Sequence, residues 1–367
     1  MANIVLRSIW KRFGEVPALQ GVAFECKDGE LFCLLGPSGA GKTTTLRIIA
    51  GVETADKGDV LLDNRSISEL FPQERDIAFA FESYALYPHL TVFDNLAFPL
   101  RAPIRASQYT EDELESRVKE VANMLDIGEL LARYPRQLSG GQRQRVALGR
   151  ALVRKPKAYL LDEPIAHLDA KLRHRMRGEL RKIQTGLGIT MVYSTPDQLE
   201  ALSMADTIAV INKGRTEQIG TPDEIYSRPV NVFVGRLVGD PPMNILDATL
   251  EAGTLIIHSN GSFQIPVPPK EWPLLSENAK RGKLEVGIRP KDIQLVPESA
   301  ETIHARGQVK DIDTLGQTTV VAVMVGSTEM KVKISTEQMP DRGANVGLVL
   351  DSTRFHYFDP ETDLRIG

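Results

Sequence analysis

The chain has 367 residues, room for two or three domains, and a soluble composition in which 44 Lys+Arg face 48 Asp+Glu for a formal charge of −4. That near-balance argues against a protein built to coat nucleic acid, and no apolar run is long enough to cross a bilayer. The start, Met1-Ala2-Asn3-Ile4-Val5-Leu6-Arg7-Ser8, lacks a signal-peptide pattern, and Cys26 and Cys33 lie in apolar surroundings that predict buried reduced thiols, so a cytoplasmic location is the default expectation.

From Ile4 to about Leu35 the pattern is of short strands broken by turns, with Lys27-Asp28-Gly29-Glu30 a hairpin-like turn. Leu31-Phe32-Cys33-Leu34-Leu35 reads as a buried strand. Gly36-Pro37-Ser38-Gly39-Ala40-Gly41-Lys42-Thr43-Thr44 follows, and Leu46-Arg47-Ile48-Ile49-Ala50 reads as a helix start. Strand, G-x-x-x-x-G-K-T, helix is the P-loop arrangement. Its glycines let the backbone curl so that successive N–H groups face phosphate oxygens, and the helix N-terminus adds its positive dipole end. Lys42 is placed to reach the outer phosphates and Thr43 to hold Mg²⁺ through its hydroxyl. The plainer reading, a glycine-rich turn matching by chance, is disfavoured by the strand and helix on either side.

Strands are predicted at Gly58–Asp63 and Ile77–Phe81, after which the chain from Asp94 to Arg154 is mostly helical. There Thr110-x-x-Glu113 is a capping box, and Leu114, Val118, Val121 and Leu125 mark one buried face. Leu138-Ser139-Gly140-Gly141-Gln142 then opens a further helix. Ser139 suits its N-cap, and Gly140 and Gly141 leave N–H groups open at a second anion-binding helix start.

Sheet character returns at Ala158–Leu161, in a strand ending Leu160-Leu161-Asp162-Glu163-Pro164. Adjacent strand residues point to opposite faces, so the two acids are expected to have separate jobs. Asp162 suits Mg²⁺, and Glu163 suits polarising a water for in-line attack on the γ-phosphorus. The plainer alternative is a pair of acids that merely end a strand. In the next helix Leu172, Met176, Leu180, Ile183 and Leu187 form one face, and Arg173, Arg175, Arg177, Arg181 and Lys182 the other. A basic face suits nucleic acid, but the overall acidic balance favours a solvated surface. Two more strands are predicted at Thr190–Ser194 and Thr207–Ile211. A boundary near Gly235 to Pro242 separates residues 1–235 from a β-rich 236–367, where Met330-Lys331-Val332-Lys333-Ile334 alternates with period two. That half reads as a small closed or sandwiched β domain without a catalytic constellation.

The P-loop, the LSGGQ signature and the LLDEP strand, in this order and spacing, resemble the ATP-binding subunit of an ATP-binding-cassette (ABC) transporter. The resemblance extends over essentially the whole chain. Ser83-Tyr84-Ala85-Leu86-Tyr87-Pro88-His89-Leu90-Thr91-Val92 is similar to the segment that docks membrane subunits in sugar and glycerol-phosphate importers. Val286–Ile293 and Phe355–Asp359 are similar to the C-terminal regulatory domain of those importers. The resemblance therefore implies an α/β P-loop NTPase cassette over 1–235, with a helical subdomain at about 94–154, followed by an all-β OB-like regulatory domain over 236–367. It implies ATP and Mg²⁺ as cofactors, Phe13 stacking on adenine (a strand-end core residue being the plainer reading), and Asp169 in a loop that crosses to a partner subunit. In such a head-to-tail dimer Ser139, Gly140, Gly141 and Gln142 contact nucleotide held by the partner's P-loop. Two transmembrane permeases and a periplasmic or extracellular solute-binding protein complete the implied complex, on the cytoplasmic face of the membrane and without nucleic acid.

Two positions depart from that family. Its strand leading to the docking segment ends Phe-Gln, where this chain has Phe81-Glu82; its switch segment reads Thr-His-Asp-Gln, where this chain has Thr195-Pro196-Asp197-Gln198. Glu82 still offers oxygen to Mg²⁺ or water, but adds negative charge near a triphosphate. Pro196 has neither a polar side chain nor a backbone N–H. His167 is expected at a surface or interface. The expectation is an importer subunit that binds ATP and Mg²⁺, hydrolyses slowly at its own P-loop, and completes the active site of a non-identical ATP-binding partner. The alternatives are a non-hydrolysing nucleotide-binding regulator and a soluble ABC protein acting on DNA or ribosomes.

Overall fold

A computed structural model describes residues 2–81, 86–103, 108–166, 168–259, 263–279 and 282–367. Glu82, Ser83, Tyr84, Ala85, His167 and the side chain of Leu187 lie outside the described set. The chain divides into two compact units, Met1–Asp223 and Glu224–Gly367.

In chain order the first unit comprises β1 (Ile4–Phe13), β2 (Val16–Cys26), β3 (Leu31–Leu35), α1 (Lys42–Ala50), β4 (Lys57–Leu62), β5 (Arg65–Ser66), β6 (Ile77–Ala80), α2 (Val92–Ala97), α3 (Glu111–Met124), α4 (Gly140–Leu152), β7 (Ala158–Asp162), α5 (Ala170–Leu187), β8 (Thr190–Thr195), α6 (Gln198–Met204), β9 (Thr207–Asn212) and β10 (Arg215–Gly220). Among the described residues these strands make a six-stranded sheet, ordered β10-β9-β3-β8-β7-β6, and a four-stranded one, ordered β2-β1-β4-β5. The larger sheet is parallel from β9 to β6. Every residue of β3, β7 and β8 is buried, as parallel strands covered on both faces require. Phe32 and Leu34 of β3, Leu46 and Ile49 of α1, Leu160 of β7 and Val192 of β8 share one core.

Helix α3 follows its sequence signals. Thr110 accepts from the Glu113 N–H, Glu113 returns the bond, and Leu114, Val118, Val121 and Leu125 are buried. Helix α5 departs in part: Met176 and Leu180 are buried, whereas Leu172 and Ile183 are only half-buried. The buried Gln184 packs there instead and donates to the Gly29 carbonyl. Four of the five residues on the basic face of α5 pair with acids, Arg173 with Asp197, Arg175 with Asp126, Arg181 with Asp206 and Lys182 with Glu179, while Arg177 lies against His174 Nδ1. Those pairs neutralise most of the charge on the face. Cys26 and Cys33 are free and buried, and burial pushes both thiols up.

The second unit begins within α7 (Pro222–Ser227) and continues through α8 (Val232–Leu237), β11 (Asn244–Glu251), β12 (Thr254–Ile257), β13 (Phe263–Pro266), α9 (Trp272–Asn278), β14 (Lys283–Ile288), β15 (Ile293–Pro297), β16 (Ala305–Leu315), β17 (Thr318–Val325), β18 (Thr328–Ser335), β19 (Asn345–Leu350) and β20 (His356–Phe358). Among the described residues it has two five-stranded antiparallel sheets, β13-β12-β11-β14-β20 and β15-β19-β16-β17-β18. Leu246, Ile257 and Val286 of one sheet and Val321, Val332 and Leu348 of the other join a single core. The division falls before the composition shift near Gly235. Buried Arg289 holds the intervening helices to this unit by donating to the carbonyls of Tyr226 (2.7 Å), Gly235 (2.9 Å) and Val238. Among the described residues no helix is long and apolar enough to cross a membrane.

One buried cation fastens the end of α1. Arg75 donates to the carbonyls of Ile48 (2.8 Å), Ile49 (2.9 Å), Leu70 (3.0 Å) and Ser68 (3.1 Å). Arg75→Met strands these acceptors and should lower stability by about 2–4 kcal/mol. Urea unfolding followed by a probe in the first unit reads this loss.

Candidate active site

The loop between β3 and α1 is rigid at its ends and open at its crest. A Cβ on Gly36 would meet the Ile211 carbonyl oxygen at 2.2 Å, so only glycine fits where the loop leaves the strand. Gly41, at φ +110°, precedes α1 against Leu19 of β2. Between them Pro37, Ser38 and Gly39 are exposed, and Gly39 has φ +78°. Lys42 is buried beneath this crest. Its Nζ donates to the carbonyls of Gly36 (2.9 Å) and Pro37 (3.1 Å) and lies 3.3 Å from Glu163 Oε1. The ammonium is thus held at the loop with a carboxylate beside it. Thr43 Oγ1 donates to Asp162 Oδ1 at 3.1 Å.

Both acids of the β7 end converge on this loop. Asp162 is the last strand residue and is buried; its Oδ1 also accepts from Ser194 Oγ at 2.7 Å. Glu163 has already left the strand. Its φ of +46° lies in the left-handed region, which costs a non-glycine residue about 1–3 kcal/mol. The turn is held by its own N–H, which donates to the Ser194 carbonyl (3.1 Å) and Ser194 Oγ (3.2 Å). The Glu163 carbonyl accepts from Gln144 of α4 at 3.4 Å. The expected separation by strand pleat is therefore corrected: a left-handed turn distinguishes the two carboxylates, one meeting Thr43 and the other Lys42.

The donor set fits a nucleotide-borne Mg²⁺. Thr43 and Asp162 supply adjacent hard oxygens, and Mg²⁺ characteristically takes its remaining ligands from phosphates and water. Among the described residues no group of three His, Cys, Asp or Glu side chains is placed to cage a metal by itself. Glu82, the further oxygen ligand considered from sequence, lies outside the described residues.

Ser139 caps α4 as expected. Its Oγ accepts from the Gln142 N–H (3.3 Å), and Gln142 Oε1 accepts from the Ser139 N–H (2.8 Å). Gly140 and Gly141 stand in the first turn, where N–H groups lack intrahelical acceptors. Gln144, one turn on, joins this helix to the Glu163 turn. Phe13 sits beside the Gly14-Glu15 turn of the β1–β2 hairpin, 49% exposed, with Lys11 Nζ 5.2 Å from its ring centre. It is not a core residue.

At the end of β8, Pro196 is exposed and Asp197 caps α6 by accepting from Leu199 N–H (2.7 Å) and Glu200 N–H (3.4 Å). Asp169 caps α5 by accepting from the Leu172 N–H at 2.9 Å. Arg173 spans these two loops. It donates to the carbonyls of Ala166 and Leu168, each at 3.2 Å, and lies 3.6 Å from Asp197 Oδ2. In α2, buried Asn95 accepts from the Tyr87 N–H and donates to the carbonyls of Tyr87, Leu90 and Thr91. The site contacts of Ser194, Gln144, Arg173 and Glu200 escaped the sequence reading, which placed Arg173 only on a basic helix face and Ser194 only at a strand end. Ser194 becomes visible only through strand order, which sets it opposite Asp162.

The family model for "ABC transporter" matches residues 19–166, that for "MalK OB fold domain" residues 239–293, and that for "TOBE domain" residues 286–358. The trehalose/maltose import ATP-binding protein MalK of Thermococcus litoralis is 44% identical, with 99% of each chain covered. The sn-glycerol-3-phosphate import ATP-binding protein UgpC of Bordetella avium is 41% identical, over 100% of this chain and 99% of its own. A dimeric structure of a bacterial ABC transporter cassette is similar at 32% identity and TM-score 0.55, covering 60% of this chain and 98% of that one. The same figures hold for a dimeric post-hydrolysis cassette bound to ADP and Pi.

A buried acid lies under the switch segment. Glu200 Oε2 accepts from Tyr193 OH (2.8 Å) and Thr195 Oγ1 (2.7 Å), yet burial outweighs both and raises its carboxyl above the ordinary 4.5. A raised acid contributes stability fully present below its unfolded value and lost as pH rises through the folded one. Glu200→Gln cannot ionise, so wild-type stability should fall relative to this variant as pH rises from the ordinary glutamate value of 4.5 through the raised folded one. Urea midpoints of the two proteins across that range measure the difference.

Proposed function

This chain belongs to the ABC transporter family of ATP-binding subunits, and from that premise we propose how it divides ATP hydrolysis with a partner. It is the ATP-binding subunit of an importer of the carbohydrate or glycerol-phosphate type, and it binds ATP with Mg²⁺. The solute we assign is a carbohydrate, polyol or glycerol-type molecule. The chain lies peripherally on the cytoplasmic face of the membrane, held by two permeases through the segment from Ser83 to Val92. A solute-binding protein outside the membrane delivers the solute.

In this reading the amides of Gly36 to Thr44 and the Lys42 ammonium hold the phosphates, and Phe13 stacks on the adenine. Thr43 and Asp162 face Mg²⁺, with Glu82 as a further oxygen. When bound, the cation neutralises charge on the β- and γ-phosphates. Glu163 orients and polarises the attacking water. Ser139, Gly140, Gly141 and Gln142 complete the site of a second ATP-binding subunit, reached by the loop at Asp169.

The observation that carries the asymmetry is Pro196. It is exposed at the end of β8, where related subunits are expected to present a histidine, and it brings no hydrogen-bonding group. Glu82 in place of glutamine adds a charge on the same side. The chain's own P-loop therefore holds ATP but turns it over slowly, while its intact signature serves a non-identical partner that keeps both residues. The same observation favours a second reading, a regulator that binds nucleotide without hydrolysing it.

The purified chain alone should bind Mg-ATP and show little turnover, and adding the second ATP-binding subunit of its transporter should restore it. Robust ATPase activity from the chain alone would overturn the asymmetry. Pro196→His combined with Glu82→Gln should raise single-turnover hydrolysis at this chain's own site by about a hundredfold, the lower range of one general acid–base or charge-stabilising contact. No gain in the double variant would show that these two positions do not limit the site.

A further inference from the structure

Strand β8 stands between β3, which leads into the phosphate loop, and β7, which ends at the two acids. Its register places Ser194 opposite Leu34 of β3 on one side and Asp162 of β7 on the other. The Ser194 side chain is fully buried. Successive strand residues alternate between faces. Tyr193 and Thr195, on either side of Ser194, both donate to Glu200 of α6. Ser194 and Val192 therefore share the opposite face, where Val192 packs in one core with Leu46 and Ile49 of α1. An apolar residue at 194 would extend that core, as strands covered on both faces ordinarily do.

The chain instead buries a hydroxyl, and its two hydrogen bonds described here both go to the acids. Ser194 Oγ donates to Asp162 Oδ1 at 2.7 Å and accepts the Glu163 N–H at 3.2 Å. The same Asp162 oxygen accepts from Thr43 Oγ1 at 3.1 Å. The Glu163 N–H also donates to the Ser194 carbonyl at 3.1 Å, so that turn keeps a backbone anchor which does not depend on the hydroxyl. What the hydroxyl alone supplies is the bond to Asp162. Away from water, such a bond to a carboxylate oxygen is directional and fixes the group's orientation. Ser194 has no solvent-exposed surface, so it acts on a bound cation or nucleotide only through a neighbour.

We propose that Ser194 is a positioning residue for Mg²⁺: its hydroxyl holds the Asp162 carboxylate in the orientation that a nucleotide-borne cation requires, given the reading of Thr43 and Asp162 as the oxygens that face Mg²⁺, on which this role rests. Groups hydrogen-bonded to a metal's ligands characteristically change its affinity by about ten- to a hundredfold when removed. The effect is confined to the cation, because phosphate contacts of the loop amides and Lys42 do not pass through Asp162.

The full-length chain is titrated by calorimetry with AMP-PCP, an ATP analogue that is not hydrolysed, once in excess Mg²⁺ and once in EDTA. The ratio of the two affinities measures what the cation adds. No turnover enters, so the result is independent of how hydrolysis is divided between subunits. Ser194→Ala should lower that ratio at least about tenfold relative to wild type and leave the affinity in EDTA unchanged. If the alanine variant does not fold, Ser194→Cys takes its place with the same expected loss, since it keeps the volume and offers only a weak donor. Asp162→Asn is the reference and should remove most of the enhancement by Mg²⁺. A wild-type ratio in the folded Ser194 variant, with the ratio lost in Asp162→Asn, would overturn the role of Ser194 and leave that of Asp162 standing. Affinity lowered equally in Mg²⁺ and in EDTA would show a purely structural serine and overturn the proposal. No enhancement by Mg²⁺ in wild type, or none lost in Asp162→Asn, would overturn the reading of Asp162 and the role of Ser194 together.

Discussion

One register pair holds the catalytic end of the cassette together. Parallel pairing of β7 with β8 sets Asp162 opposite Ser194, and that serine then fixes both acids. Its hydroxyl donates to the Asp162 carboxylate, and its carbonyl and hydroxyl oxygens receive the Glu163 N–H. Those bonds help to hold Glu163 in a left-handed conformation that an L-residue ordinarily avoids. With them, one carboxylate reaches Thr43 and the other reaches Lys42. A one-residue slip between these strands would reverse every side chain and separate the acids from the P-loop.

The loops around this centre are joined by buried or half-buried polar side chains. Gln144 links the signature helix to the Glu163 turn, and Arg173 links the loop before α5 to the switch segment. Glu200 gathers Tyr193 and Thr195 beneath that segment. Such groups are costly to bury, and these contacts offset part of that cost, although Gln144 Oε1 and Arg173 Nε find no hydrogen-bond partner among the described residues. Gln144 and Arg173 each tie together two segments that lie apart in the sequence. Pro196, exposed at the end of β8, adds neither a side-chain donor nor a backbone N–H to this set.

The C-terminal unit is built on different principles. Its two antiparallel sheets bury one face each, and the alternation of Met330, Val332 and Ile334 with Lys331 and Lys333 records that division. Arg289 draws the helices from Tyr226 to Val238 into this unit, which is why the division precedes the change in composition. The helical segments read as part of the cassette because their local pattern carries no mark of the arginine that binds them.

The sequence by itself determined the cassette, its three nucleotide motifs, the β character of the second half and the caps at Thr110 and Ser139, because each rests on short-range spacing: glycine placement, hydrophobic period, or a capping residue three positions from its partner. It also exposed Pro196, since a missing N–H is a property of the residue alone. Only the tertiary structure decided what Glu163 does after its strand ends, which serine supports it, and where the arginines of α5 are neutralised. Those outcomes depend on residues separated by tens to more than a hundred positions in the chain, whose meeting is set by strand order and by core packing, and neither is written in any local pattern.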